Sequence, residues 1–176
     1  MTFAGSLADG TTISQSSIIS RNGYWPFYVN LYGGKGSLWG WNYFVNHRIV
    51  SAGPLSWISE TNSAKAALYR AGFTNQAAAL NGELYVPSVA LPPNLTSTLE
   101  GGNLAATITG SSFSGNFDKL TLTTNKTTGV ITGTFINPAH PKPPVKVGGV
   151  ILQGQNTAEG FFLGTNQSGA FILGQP

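Results

Sequence analysis

Short runs of apolar residues, or of apolar residues alternating with polar ones, dominate the chain and are separated by Gly, Asn, Asp, Ser and Pro. Alternation with a period of two places successive side chains on opposite faces of a β-strand. The pattern predicts strands over residues 3–7, 11–19, 24–32, 37–45, 104–108, 119–124, 130–136, 145–152, 159–163 and 170–173. About ten strands at regular spacing predict an all-β fold, either an antiparallel barrel or a two-sheet sandwich.

Proline and glycine mark the limits of these strands. Pro26 has no backbone N–H to give to a ladder, so its strand is expected at a sheet edge or a bulge. The glycine-rich residues 33–36 lie between two predicted strands and are expected to form a hairpin turn. Residues 138–144 contain four prolines and are expected to form a loop that cannot pair in a sheet.

The middle of the chain, residues 47–103, has weaker periodicity. Its Ala-rich stretches, 64–71 and 76–80, favour one or two short helices. Residues 88–93 are expected to cross between two halves of the fold. The length predicts a single domain over 1–176, with a two-half organisation of 1–87 and 94–176 as an alternative.

Composition narrows the classes of function. Charged residues make up 9% of the chain and hydrophobic residues 41%, which is typical of a folded protein with an uncharged polar surface. The net charge of +3 comes from dispersed cations, whereas a nucleic-acid site needs a cluster of them. The absence of cysteine excludes disulfides and thiol chemistry. No apolar run is long enough for a transmembrane helix, and no signal peptide is recognisable in this chain.

Aromatic residues concentrate between positions 24 and 57 and are the most informative side chains. On the predicted strand 37–45, alternation places Trp39, Trp41 and Tyr43 on one face. Core packing is the first interpretation, because large rings bury much apolar area. The alternative is an exposed platform that stacks sugar rings. The candidate ligand-binding residues are Trp25, Tyr28, Trp39, Trp41 and Tyr43.

No constellation of residues predicts catalysis, and we expect no catalytic residue, metal or cofactor. Glycoside hydrolysis requires a pair of carboxylates, but no spacing among the acids singles one out. Asp9 is expected to hydrogen-bond locally within its turn. His47 is expected at the rim of a sheet and His140 in the proline-rich loop, and two histidines are too few for a metal site without cysteine. The six acids are Asp9, Glu60, Glu83, Glu100, Asp118 and Glu159.

Several segments resemble a recurring β-domain of large exported proteins from environmental bacteria such as the Verrucomicrobia and Planctomycetes. The segments are ADGT at 8–11, WPFYV at 25–29, LYGGKGSLWGW at 31–41, WI at 57–58, YRAGFT at 69–74, GVILQ at 149–153 and GFFLGTNQSG at 160–169. The resemblance spans nearly the whole chain. It implies an extracellular or cell-surface location and a modular role, without implying any chemistry.

Three hypotheses of function follow from these features. The first is a non-catalytic structural or adhesive module of an exported protein that associates with copies of itself or with neighbouring β-domains, since low charge gives little repulsion between copies. The second is a carbohydrate-binding domain with an aromatic platform for polysaccharide. The third is a hydrolase with an unrecognised carboxylate pair. Nucleic acid and membrane insertion are not expected.

Overall fold

The protein is built from antiparallel β-structure. The structure, a computed structural model, describes residues 1–60, 68–88, 96–100, 108–109, 112–113, 120–137, 140–165 and 167–174. Within these residues the chain forms strands and a 3-10 turn, Gln153–Gln155, which confirms the all-β prediction. In the described part of the chain, no helix has the length and apolar character needed to cross a membrane. The chain divides into two compact units, Met1–Leu84 and Tyr85–Pro176.

The N-terminal unit, Met1–Leu84, contains a two-stranded ribbon and a six-stranded sheet. Its strands are β1 (Thr2–Ser6), β2 (Thr12–Ser16), β3 (Tyr24–Leu31), β4 (Gly36–Val45), β5 (Arg48–Ser51), β6 (Leu55–Ser59), β7 (Phe73–Ala78) and β8 (Asn81–Glu83). Strands β1 and β2 pair with each other, and the sheet runs β7-β6-β4-β5-β8 with β3 paired to β4. The sheet order has open ends among the described strands, so this unit is not a closed barrel.

The core of the N-terminal unit lies between the ribbon and one face of the sheet. Phe3 of the ribbon packs against Trp25 and Phe27 of β3, with ring centroids 5.9 and 5.6 Å apart. Ile13 of the ribbon belongs to the same buried cluster. The sequence predicts either a barrel or a two-sheet sandwich, and this packing of a ribbon on a sheet agrees with the sandwich. The remaining buried members of the cluster are Val29, Leu31, Leu38 and Leu55.

Strand β3 is an edge strand, as Pro26 predicts, and residues 15–20 run along its outer side. Side-chain and backbone donors of the segment 15–20 hydrogen-bond to the outward carbonyls of β3. These separate contacts take the place of a continuous ladder of backbone hydrogen bonds. Pro26 itself offers no N–H on this side. The edge of β3 is therefore closed by the protein itself. The contacts are Ser20 N to Tyr24 O at 2.8 Å, Ser17 Oγ to Pro26 O at 3.3 Å and Gln15 Nε2 to Tyr28 O.

A chain of hydrogen bonds ties the ribbon turn to the sheet. The carboxylate of Asp9 accepts bonds of 2.9 Å from both the backbone N–H and the hydroxyl of Thr11, which confirms its predicted turn role. The Tyr32 hydroxyl donates to the same carboxylate at 2.6 Å and accepts from Trp57 Nε1 at 3.0 Å. Burial raises the pKa of Tyr32 far above its ordinary value, and the hydrogen bond to Asp9 and its negative charge add to this shift.

This network predicts that the N-terminal unit loses stability at alkaline pH. The pKa of Tyr32 is higher in the folded protein than its unfolded value of about 10. The protonated Tyr32 hydroxyl therefore makes its full contribution to the free energy of unfolding below about pH 10, and this contribution is lost as the pH rises toward the folded pKa. Urea unfolding at about pH 8 and about pH 11 measures the loss. Tyr32→Phe should show a smaller loss over this interval than the natural chain, and an equal loss in both would contradict the assignment.

The C-terminal unit, Tyr85–Pro176, contains a second six-stranded sheet in the order β12-β13-β14-β15-β16-β9, with a short β10-β11 hairpin. Its buried face carries the cluster Ile131, Phe135, Val147, Ile151, Ala158, Phe162 and Phe171. The consecutive pairing of β14, β15 and β16 confirms the predicted three-stranded meander. The strands are β9 (Thr96–Glu100), β10 (Ile108–Thr109), β11 (Ser112–Phe113), β12 (Thr121–Thr124), β13 (Val130–Asn137), β14 (His140–Leu152), β15 (Thr157–Leu163) and β16 (Ser168–Gly174).

Two local predictions are wrong. The proline-rich segment belongs to β14 from His140 onward instead of forming a loop, but residues 141–144 have no partner in the β13 ladder, which passes from Asn137–His140 to Phe135–Val145. Residues 138–139 lie outside the described residues. Strand β14 pairs with β15 only from Val147 onward, so the prolines need no N–H on that side. The Ala-rich stretch 76–80 contributes to β7, whose pairing with β6 overrides the helix preference of alanine. Of the other Ala-rich stretch, 64–71, residues 64–67 lie outside the described residues, and 68–71 form a bend and a turn instead of a helix.

Candidate functional site

Aromatic side chains cover the face of the N-terminal sheet that the ribbon does not pack against. Strands β3 and β4 pair so that Tyr24 lies opposite Tyr43, Pro26 opposite Trp41, and Tyr28 opposite Trp39. All six alternate away from the buried side chains of the same strands. We call this set the aromatic face: Tyr24, Pro26, Tyr28, Trp39, Trp41 and Tyr43.

The rings of the aromatic face are unusually exposed for their size. The exposed fraction is 56% for Trp41, 55% for Tyr28 and 49% for Trp39. Tyr24 is 46% exposed, and its ring centroid lies 6.1 Å from that of Tyr43, which is half-buried. The core-packing interpretation is therefore wrong for Trp39 and Trp41. Contiguous exposed apolar surface of this kind marks a binding site more often than a free surface.

Trp25 does not belong to this surface. It lies on the opposite face of β3, is 1% exposed and packs against Phe27 with ring centroids 4.9 Å apart. The parity of β3 explains the separation, because Trp25 and Tyr28 are three residues apart and alternate to different faces. The same parity identifies Tyr24 and Pro26, which the sequence prediction missed, as members of the site beside Tyr28.

Glycine and leucine support the aromatic face from beneath. Gly40 lies between Trp39 and Trp41 in β4 and opposite Phe27 in β3. A β-carbon at Gly40 would overlap Cδ2 of Leu55, which fills the space that a side chain would take. Leu55 is 3% exposed, so the backbone between the two tryptophans rests on a packed core. We infer that the two rings are held on a rigid support.

No ionised side chain lies on the two strands of the site. Strands β3 and β4 contain no Asp, Glu, Lys, Arg or His. The register places Arg48 opposite Val45, at one end of the aromatic face, and its Nη2 donates to Asn81 Oδ1 at 3.1 Å. Asn30 and Ser37, which pair with each other, lie at the other end. The site is an apolar strip with uncharged amide and hydroxyl groups at one end and Arg48 just beyond the other.

The corresponding face of the C-terminal sheet differs in chemistry. Register places Thr132, Thr134, Lys146 and Glu159 on the face opposite the buried cluster. Its exposed apolar residues are aliphatic, including Val150 at 44% exposure. Both units bury one face of an antiparallel sheet, but only the N-terminal unit covers the other face of its described strands with large rings. The aromatic face is therefore not a general consequence of this architecture.

A concavity lies at one end of the C-terminal sheet. It has a volume of about 360 Å³ and a floor that includes Phe135 and Phe162, whose rings pack edge to face at 5.6 Å. Asn137, Lys142 and Thr165 contribute polar groups to its lining. The volume is that of a small-molecule pocket, but the polar groups do not converge on a recognisable chemistry.

The sequence candidates for catalysis occupy ordinary structural positions where they are described. His47 is exposed in the two-residue turn between β4 and β5, with φ of 63°, so the expected rim position is confirmed. His140 begins β14 instead of lying in a loop. In the described ranges, no group of three or more His, Cys, Asp or Glu side chains is arranged to hold a metal ion.

Comparison with protein-family models, curated proteins and solved structures finds no match to this chain. The aromatic face is therefore the observation from which a function is inferred.

Proposed function

We propose that the protein is a non-catalytic carbohydrate-binding module, and that its aromatic face stacks against the sugar rings of a polysaccharide. The observation that carries this proposal is the exposure of four large rings, Tyr24, Tyr28, Trp39 and Trp41, on one face of the β3–β4 hairpin. The C–H faces of a sugar ring are apolar and flat, so they pack onto aromatic rings while the hydroxyls stay in water.

Single-stranded nucleic acid also stacks on aromatic rings, but it requires a basic groove that follows the phosphates. Neither strand of the aromatic face carries a lysine or an arginine. The charge pattern therefore favours sugar over nucleic acid. The resemblance to domains of exported bacterial proteins supports a place outside the cell, where polysaccharides are abundant.

Self-association is a second candidate function. Strand β12 is the last strand of the C-terminal sheet within the described residues, and its sequence Thr-Leu-Thr-Thr carries no charge. An uncharged edge strand can add to the sheet of another copy. This candidate corresponds to the structural or adhesive module of the sequence hypotheses, and it is compatible with a sugar-binding face on the other unit.

Replacing Trp39 and Trp41 by alanine should abolish polysaccharide binding and leave the fold intact. Each single variant should weaken binding at least tenfold, because central aromatic residues dominate most interfaces. Tryptophan fluorescence with iodide quenching, on protein whose assembly state is fixed by light scattering, gives the readout. Bound polysaccharide should shield Trp39 and Trp41, whereas Trp25, which is buried, should resist quenching with or without ligand.

Val150→Ala serves as the matched control, because it removes exposed apolar surface from the other unit and should bind normally. Equal binding by the double variant and the natural chain would contradict the proposal. If Trp39 and Trp41 become shielded only as the protein assembles, the aromatic face is an interface between copies and the proposal fails.

A further inference from the structure

The shape and charge of the aromatic face also specify the kind of polysaccharide. Successive alternate residues of a strand are about 7 Å apart, so Trp39, Trp41 and Tyr43 form a row of about 14 Å along β4. The cross-strand partners in β3 add a width of only about 5 Å. The face is a strip that is longer than it is wide, and its long axis follows the strands.

On the side of the row away from β3, the neighbouring side chains are smaller than the rings. Ser56 of β6 pairs with Trp39 on the side away from β3, and it is buried. Val50 of β5 occupies the corresponding place beside Tyr43. The rings are about half exposed, as expected for a raised surface and not for the walls of a cleft. Such a surface contacts one side of a chain along its length and does not need a chain end.

The absence of charge along the strip selects against ionised polymers. A polysaccharide with carboxylate or sulfate groups gains affinity from nearby cations, and β3 and β4 supply none. Arg48 lies beyond the end of the row and already donates to Asn81. Amide and hydroxyl groups at the other end, on Asn30 and Ser37, suit neutral hydroxyls.

We infer that the ligand is a neutral polysaccharide that lies parallel to β4 and stacks at three successive positions, Tyr28/Trp39, Pro26/Trp41 and Tyr24/Tyr43. The inference rests on the proposed function and adds the class of polymer and the direction of the chain. A strip of this length spans several sugar units, so affinity should rise with oligosaccharide length until the three positions are filled and then level off.

The test is a depletion assay with the full chain against microcrystalline cellulose, chitin and cross-linked polygalacturonate. We expect retention on a neutral polymer that does not change as NaCl rises to about 1 M, where the Debye length is only about 3 Å. Tyr28→Ala, Trp41→Ala and Tyr43→Ala, one from each position, should each weaken retention, by about tenfold for Trp41→Ala.

Two other results would overturn the inference and can be told apart. Retention only on polygalacturonate, lost at high salt, would refute the neutral ligand and leave a carbohydrate-binding function in place. Retention on none of the three polymers, together with no shielding of tryptophan by their soluble oligosaccharides, would refute both the inference and the proposed function.

Discussion

Trp25→Ala should lower the free energy of unfolding of the N-terminal unit by about 3–5 kcal/mol. Trp25 is 1% exposed, and its ring lies 4.9 Å from that of Phe27, 5.9 Å from that of Phe3 and 6.2 Å from that of Phe44. Truncation removes the largest side chain of this core and leaves a cavity between the ribbon and the sheet. The ribbon, which depends on this contact, should loosen first.

Urea unfolding monitored by far-UV circular dichroism measures this change. Trp41→Ala is the matched control, because it deletes the same side chain from the exposed face of the neighbouring strand and should change stability by about 0.5 kcal/mol or less. Trp25→Phe should cost less than Trp25→Ala, because Phe keeps most of the ring volume and loses only an Nε1–H that is buried without a hydrogen-bond partner among the described residues. Similar losses for Trp25→Ala and Trp41→Ala would refute the assignment of the two faces.

Gly160→Ala should lower the free energy of unfolding of the C-terminal unit by about 3 kcal/mol. Gly160 of β15 pairs with Gly149 of β14 and with Phe171 of β16. A β-carbon at Gly160 would overlap the carbonyl oxygen of Gly148 and the α-carbon of Gly149, which are backbone atoms. No side-chain rotation relieves such an overlap, so the two strands have to move apart.

Gly148→Ala is the control for this substitution within the same sheet. A β-carbon there would lie 3.6 Å from Cζ of Phe161, an ordinary van der Waals contact. We expect its stability to stay within about 1 kcal/mol of the natural chain. Thermal or urea unfolding of both variants distinguishes them, and equal stability of the two would show that β14 and β15 are not packed as closely as described.

Much of the fold follows from the period-two pattern. The sequence predicts β3 and β4 to within one or two residues of the observed Tyr24–Leu31 and Gly36–Val45. Their large side chains alternate cleanly, and glycines bound the turn between them. Pro26 correctly predicts an edge strand, because the residue removes a donor regardless of tertiary context. These are local properties of the chain, and local properties can be read from sequence.

The location of the site depends on long-range packing. Alternation places Trp39, Trp41 and Tyr43 together, but both faces of this hairpin are rich in large apolar residues. Which face becomes the core is decided by the docking of Phe3 and Ile13 from the ribbon, and no periodicity encodes that choice. The separation of Trp25 from Tyr28, by contrast, is a local property, because the alternation of β3 alone places them on different faces.

Tertiary pairing also explains the two local errors. The alanines near Gln76 favour a helix in isolation. In the fold they pair with β6, and the hydrogen bonds and packing of this pairing stabilise a strand by more than the helix propensity of alanine favours a helix. The described prolines of β14 fall where the ladder to β13 is interrupted and before the pairing with β15 begins, so neither neighbouring strand requires an N–H from them. The sequence alone does not reveal where these ladders start.

The closed outer edge of β3 affects how the protein would behave on a crowded polymer. Adsorption concentrates molecules side by side, and a bare strand next to the rings would then invite sheet growth from one molecule to the next. Because Gln15, Ser17 and Ser20 already occupy the carbonyls of this edge, neighbouring hairpins can approach without joining there. As far as this edge is concerned, the protein should therefore adsorb to the polymer as a saturable, reversible monolayer. Its molecules should desorb independently of one another when the suspension is diluted.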